Sequence, residues 1–258
     1  MVGGLERFRD HFKEHAHQYA LIGGSACDLL MEQVGLTFRA TKDLDIVLIV
    51  EELDSGFARS FWEFIRAGRY AVAQSSEGKP TYYRFVSPQI SGFPSMLEVL
   101  SIRPERIPHS EGVHLTPIPF DEGISSLSAI LLQEEYYAFL KAGVRIVDGI
   151  SVVGPEHLVP LKARAWLDLK ERKAAGHAIH SGDISKHRKD VFRLYRIIDP
   201  APRRDVPPTV QADMRKFLVE VRNEPVDLKS LGIARSSLDD VLEQLGRIYG
   251  EPSAQGVG

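Results

Sequence analysis

The chain has 258 residues, with 32 basic and 35 acidic side chains for a formal net charge of −3, and is 43% hydrophobic and 26% charged. That composition excludes disordered and fibrous classes, supplies no global field that would attract nucleic acid, and its one cysteine, Cys27, excludes an intrachain disulfide and a cysteine-based zinc cluster. No apolar run approaches the roughly 18 residues of a bilayer span, and the charged N-terminus does not read as a signal peptide, so a cytoplasmic protein without a membrane partner is expected.

Residues 6–17 read as a charged helix, 19–22 as a short apolar strand, and 25–34 as a helix with Cys27, Leu30, Met31 and Val34 at helical spacing. Residues 44–50 read as a strand, 57–66 as an aromatic-rich helix whose Phe57, Phe61, Trp62 and Phe64 belong to a core, and 81–86 and 96–102 as strands. A Pro-rich link at 116–120 precedes a helix at 127–140. Segments 144–147 and 150–153 flank Asp148-Gly149, a pair suited to a tight hairpin because both central residues need positive φ. From residue 155 only helices are expected, at 155–174, 183–198, 210–222 and 235–248, before a frayed tail. The fold class is therefore α+β: a sheet with flanking helices in residues 1–120, and a mainly helical domain in 121–258 that carries the short hairpin.

Three features carry chemistry. The strand ending at Gly23-Gly24 turns at Ser25 into a helix, which allows close backbone approach and presents free N–H groups to a phosphate. Ser25 followed by Asp28 also makes a capping-box-like start, so the same turn reads equally as a well-capped helix. Asp43 and Asp45, two apart at the entrance of a strand, project from one face, where Mg²⁺ is the usual partner of closely spaced carboxylates. The alternative is an exposed loop in front of the strand. Glu98 is the one charge in an apolar strand and must be paired, metal-bound or at an edge. Beside Asp43 and Asp45 it would complete a three-carboxylate site able to hold two Mg²⁺ ions. At a sheet edge it would instead pair with an arginine such as Arg84.

Gly23-Gly24-Ser25, an Asp-x-Asp opening a strand and one acid on a later strand resemble the nucleotidyltransferase superfamily of polymerase-beta-like folds. The resemblance implies a mixed sheet flanked by helices, transfer of a nucleoside monophosphate from an NTP, Asp43 and Asp45 as metal ligands, and Glu98 as the third catalytic carboxylate. The spacer from Ser25 to Asp43 is longer than in the tightest members, which leaves the 35–42 loop without an assigned purpose.

The C-terminal half adds a basic patch: residues 155–199 hold ten Lys and Arg against six Asp and Glu, an excess of 10 − 6 = +4. Lys162 sits beside a stripe of Leu158, Leu161, Ala165 and Leu169, positioned to lean over a cleft or to snorkel from a helix flank. In the next helix Val191, Leu194, Tyr195 and Ile198 form the apolar stripe, with Lys186, Lys189, Asp190 and Arg193 on other faces. Lys186 and Asp190 have the spacing of a surface ion pair. Tyr82 and Tyr83 are weak candidates for base stacking.

A lysine helix opening after Gly-Pro-Glu and a later Lys-His-Arg-Lys-Asp-Val-Phe-Arg-Leu are similar to the AbiEii-type nucleotidyltransferase toxins of type IV toxin–antitoxin systems, over residues 19–198. The resemblance implies an NTP cleft enclosed by two domains, with Lys162, Lys189 and Asp190 joining Gly23, Gly24 and Ser25 in nucleotide binding. Arg193 stands where many members carry a second Asp, and Lys186 is the substitute should Lys189 point away. It further implies an RNA acceptor, with the tRNA 3′ end first, and a cognate antitoxin. Small-molecule acceptors of the aminoglycoside or lincosamide kind, a protein acceptor, and a non-catalytic interaction module are the competing readings.

Overall fold

The structure, a computed structural model, describes residues 2–74, 80–101, 133–200 and 205–250. The expected link at 116–120, the first part of the 127–140 helix, Ile102, the side chains of Tyr82 and Tyr83, and the 251–258 tail lie outside what is described. Among the described residues no helix is long and apolar enough to cross a membrane. The chain divides into two compact units, Met1–Gly154 and Pro155–Gly258.

The first unit is α+β. Among the described residues its helices are α1 (Leu5–Phe12, followed by a 3-10 segment Lys13–Gln18), α2 (Gly23–Gln33), α3 (Ser55–Gly68) and α4 (Glu134–Ala142). Its strands are β1 (Tyr19–Ile22), β2 (Asp43–Leu48), β3 (Ala71–Gln74), β4 (Pro80–Val86), β5 (Met96–Leu100), β6 (Val144–Val147) and β7 (Ile150–Val153). They form one seven-stranded mixed sheet in the order β3-β4-β5-β2-β1-β7-β6. The β1–β7 and β2–β5 pairs are parallel and the others antiparallel.

The hairpin forms as the Asp-Gly pair dictates, with Asp148 at φ 49° and Gly149 at φ 79°. Its place differs from expectation, because β7 pairs with β1 through Leu21 and Val152 and extends the N-terminal sheet. The division between units therefore falls at 154/155, not at 120/121. An apolar β7, buried at every position, cannot be left on a helical domain without a sheet to satisfy its backbone.

One face of this sheet is covered by aromatic rings. Phe8 and Phe12 of α1 and Phe57, Phe61, Trp62 and Phe64 of α3 are buried with Tyr19 and Phe85. Ring centroids of Phe61 and Trp62 lie 5.5 Å and 5.8 Å from Phe85. Each such ring contributes roughly 1.5–3 kcal/mol by leaving water, so this cluster anchors the sheet. Asp54 starts α3 by accepting the Phe57 N–H at 2.8 Å, and Arg69 ends it in the left-handed region at φ 50°.

The second unit is helical where described: α5 (Pro155–Ala174), α6 (Ser181–Tyr195), α7 (Pro208–Val221) and α8 (Leu238–Tyr249). Pro160 lies inside α5 and cannot donate to the Glu156 carbonyl one turn back. The Tyr249 hydroxyl of α8 donates to that carbonyl at 2.8 Å, so one helix repairs a gap in another. A capping box between Ser237 and Asp240 fixes the start of α8.

Candidate functional site

Strand register gathers the acidic residues. Asp45 of β2 is in register with Ile22 of β1 and with Glu98 of β5, and Glu98 is in register with Arg84 of β4. Partners in register share a face, so Ile22, Asp45, Glu98 and Arg84 form one row across the sheet. Asp43 lies two residues before Asp45 and shares that face. The row Leu44–Leu97–Phe85 points the other way, into the aromatic core. The acids thus occupy the face opposite the α1 and α3 rings.

Asp43 and Asp45 belong to β2 itself rather than to a loop before it, and both are half-buried. Glu98 is only 3% exposed, and its Oε2 accepts from Arg84 Nε at 3.1 Å and Nη2 at 2.9 Å. The arginine pairing considered for an edge strand is therefore present on an interior one, where a buried carboxylate needs a charge-assisted donor. Among the described residues, no three His, Cys, Asp or Glu side chains are gathered closely enough to hold one metal ion between them.

The glycine turn is built around Asp45. Gly23 has φ +67°, and a Cβ there would lie 1.7 Å from Asp45 Oδ2, so only glycine lets the strand-to-helix turn close against this carboxylate. A Cβ on Gly24 would come within 2.7 Å of Thr41 Oγ1 and 3.4 Å of Arg39 Nη2. The 35–42 loop thereby acquires a place: Arg39 and Thr41 reach the first turn of α2. The capping-box reading of Ser25 is not realised, because α2 starts two residues earlier, at Gly23. The Ser25 hydroxyl, buried in the first turn, instead donates back to the Ile22 carbonyl at 3.2 Å.

In the second unit, Lys162 does not lean over open space. It is 1% exposed, and its Nζ lies 3.6 Å from Asp190 Oδ2. Asp190 is fully buried, and its other oxygen accepts from Arg193 Nη1 at 3.1 Å. Arg193, where a second acid was considered, is a second cation for the same carboxylate. Lys186 pairs with Asp183 at 2.9 Å rather than with Asp190, and Lys189 is exposed. Buried charges must find partners at short range, and this trio has done so internally.

No family model matches the chain, and no curated protein does.

Arg39 and Thr41 are site neighbours that the sequence reading passed over. Their signal was present, since Arg39, Thr41, Asp43 and Asp45 alternate along the chain with the period of a strand.

Proposed function

We propose that the first unit is a Mg²⁺-dependent nucleotidyltransferase of the AbiEii toxin type, transferring a nucleoside monophosphate from an NTP to an RNA hydroxyl, with the tRNA 3′ end as first choice. The observation that carries this reading is the row of acids: Asp43 and Asp45 on one sheet face, Asp45 in register with Glu98, and Gly23 closed against the Asp45 carboxylate. Reaction requires the acceptor oxygen to bond the α-phosphorus while the bond to the bridging oxygen breaks and pyrophosphate leaves. All-oxygen donors suit Mg²⁺, and Asp43 and Asp45 would hold it. When bound, the metal supplies charge neutralisation on the phosphates and activation of the attacking oxygen.

The remaining roles fall to the chain itself. The first turn of α2 offers backbone N–H groups that have no intrahelical acceptor, with Arg39 beside them as a cation for phosphate oxygens. Ser25 contributes its backbone, since its hydroxyl is engaged with Ile22. Arg84 fixes the Glu98 carboxylate next to Asp45. An RNA acceptor draws its support from the basic stretch 155–199, where Lys162, Lys170 and Arg188 are held by carboxylates while Lys173 and the exposed Lys189 have no carboxylate partner among the described residues, because phosphate contacts dominate RNA affinity. A cognate antitoxin belongs to the same reading.

Incubation with Mg²⁺, each labelled NTP and total RNA tests it. Label is expected in tRNA and is expected to vanish in Asp45→Asn; label confined to an aminoglycoside or to protein would sink the RNA assignment. A second reading, a fold that binds without turnover, is favoured by the Arg84–Glu98 pair, which gives Glu98 a structural role. It predicts no transfer to any acceptor. Absence of thermal stabilisation by any Mg-NTP at saturation would support it over the first, since a ligand specific for the folded state must raise stability.

A further inference from the structure

A groove of about 540 Å³ lies within the second unit, between α5 and α6. It uses no residue of the acidic row, and its cations belong to the basic 155–199 stretch on which the RNA acceptor reading rests. Three cations line it, Lys170, Lys173 and Arg188, against one carboxylate, Glu224. These cations are not equally committed. Lys170 is held by Glu220 at 2.9 Å and Glu224 at 3.2 Å, with its ammonium 4.2 Å from the centroid of the Trp166 ring. Arg188 donates Nη1 to Glu224 at 2.7 Å, yet it is 8% exposed and its Nε–H is buried with no hydrogen-bond partner. Lys173 donates to the Ser181 hydroxyl at 2.6 Å and has no carboxylate partner among the described residues. Ser185, one turn after Ser181 on α6, lines the same groove.

An orphaned guanidinium N–H is costly in the buried state, and an acceptor supplied by a ligand would relieve that cost. The donors here are an ammonium, a guanidinium edge and two hydroxyls, with no lining acid beyond Glu224. A tetrahedral group with several acceptor oxygens answers all of them at once, whereas a planar carboxylate offers only two oxygens. We propose that this groove is a phosphate-binding site, in which Lys173, Arg188, Ser181 and Ser185 take a phosphoryl group. Its volume exceeds what one phosphate fills, so the group belongs to a larger body, either an RNA backbone or a diphosphate.

Calorimetric titration of the full chain in EDTA, with Asp45→Asn as background, removes metal-dependent binding at the acidic row, and the groove variants below separate this groove from Arg39 and the first turn of α2. The probes are inorganic phosphate, pyrophosphate and a ten-nucleotide single-stranded RNA. Saturable binding of pyrophosphate or RNA is expected, weakened at least ten-fold by Lys173→Ala with Ser185→Ala, two changes that leave the helix core intact. Arg188→Lys keeps the charge and removes the Nε–H, and it is expected to weaken binding in a protein that stays folded, with a melting temperature lowered by the lost Nη1–Glu224 bond. In the RNA arm, loss of one phosphate contact lowers the slope of log affinity against log salt by about 0.7. Saturation by RNA alone assigns a polymer backbone, and saturation by pyrophosphate assigns a free diphosphate. Heat from none of the probes up to 10 mM (about the weakest affinity worth assigning), or wild-type binding by the Lys173→Ala/Ser185→Ala variant, overturns the proposal. Since Mg²⁺ is absent, failure here removes the groove as an RNA contact and leaves the metal-dependent transfer step to the labelling assay, while failure of transfer leaves this site untouched.

Discussion

Asp190 and Glu98 are both buried carboxylates held by basic side chains, yet they sit in opposite kinds of surroundings. Asp190 divides its two oxygens between Lys162 and Arg193, and both it and Lys162 are shut away from solvent. Glu98 is gripped through one oxygen by Arg84 and stands in a row with Asp45, which is half-buried, as is Asp43 on the same face. Burial alone therefore does not mark a ligand site. What separates the two clusters is whether acids on the same surface still meet solvent, because a ligand can only reach groups that do.

The largest expected effect tests the closed cluster. Lys162→Met strands one side of a fully buried carboxylate, and loss of one partner of a buried pair costs about 3–5 kcal/mol, read as a fall in the urea midpoint at unchanged slope. Replacing both partners, Lys162→Met with Asp190→Leu, is expected to recover much of that loss. If Lys162→Met costs under about 1 kcal/mol, the pair behaves like a surface ion pair and the comparison fails. Next in size is Arg84→Met, which removes the Nε and Nη2 donors to Glu98 and costs about 1.5–3 kcal/mol, the range for hydrogen bonds to a charged group.

Gly23→Ala bears on the open cluster. A left-handed φ of +67° costs a residue with a Cβ about 1–2 kcal/mol, and the Cβ must also displace the Asp45 carboxylate. Stability is expected to fall modestly while Mg-NTP thermal stabilisation disappears. Asp45→Asn keeps the side chain's shape at a half-buried position, and is expected to cost less stability than Gly23→Ala and to abolish transfer. A large loss of stability in Asp45→Asn would instead make the acidic row as structural as the Lys162 cluster.

Much of the first unit was legible because its signals are local. Asp148-Gly149 specified a hairpin, the apolar run before Gly23 specified a strand, and Phe57, Phe61, Trp62 and Phe64 specified one buried helix face. The two-apart spacing of Asp43 and Asp45 carried their shared face directly. What local patterns could not carry was partnership at long range. The hairpin's attachment to β1 depends on a parallel pairing of Leu21 with Val152, 152 − 21 = 131 positions apart in the chain, and no turn chemistry announces it. Strand β3 is four residues long and gave too little periodicity to read. Lys162 looked like a flank residue by helical spacing, since nothing within α5 says that a fully buried Asp190 waits on α6. Amphipathic patterns locate the average side of a helix, while a buried ion pair is an exception to that average and is settled only by packing.

A third acid–base contact, far more exposed, calibrates the scale. Glu51 Oε2 accepts from the Tyr137 hydroxyl at 2.7 Å and lies 3.1 Å from Lys141 Nζ, with side chains 47% and 39% exposed. The same phenol oxygen accepts the Val50 N–H at 3.0 Å, which ties α4 to the end of β2. Partial burial works against ionisation of Glu51, but the Tyr137 hydroxyl, a backbone N–H and the Lys141 ammonium outweigh it and hold the carboxyl below its ordinary range. A carboxyl with a depressed value in the folded state stabilises above its unfolded value, near about 4.3, and this contribution is lost as pH falls through the folded value. The wild-type advantage over Glu51→Gln in melting temperature is therefore expected to be full above about pH 5 and to fade below it. Water and salt screen a pair this open, so the advantage stays below about 1 kcal/mol and shrinks in 1 M salt. An advantage that is independent of both pH and salt would mean that the Tyr137 hydrogen bond, not the charge, does the stabilising, and the contrast between sealed and open clusters would then rest on packing alone.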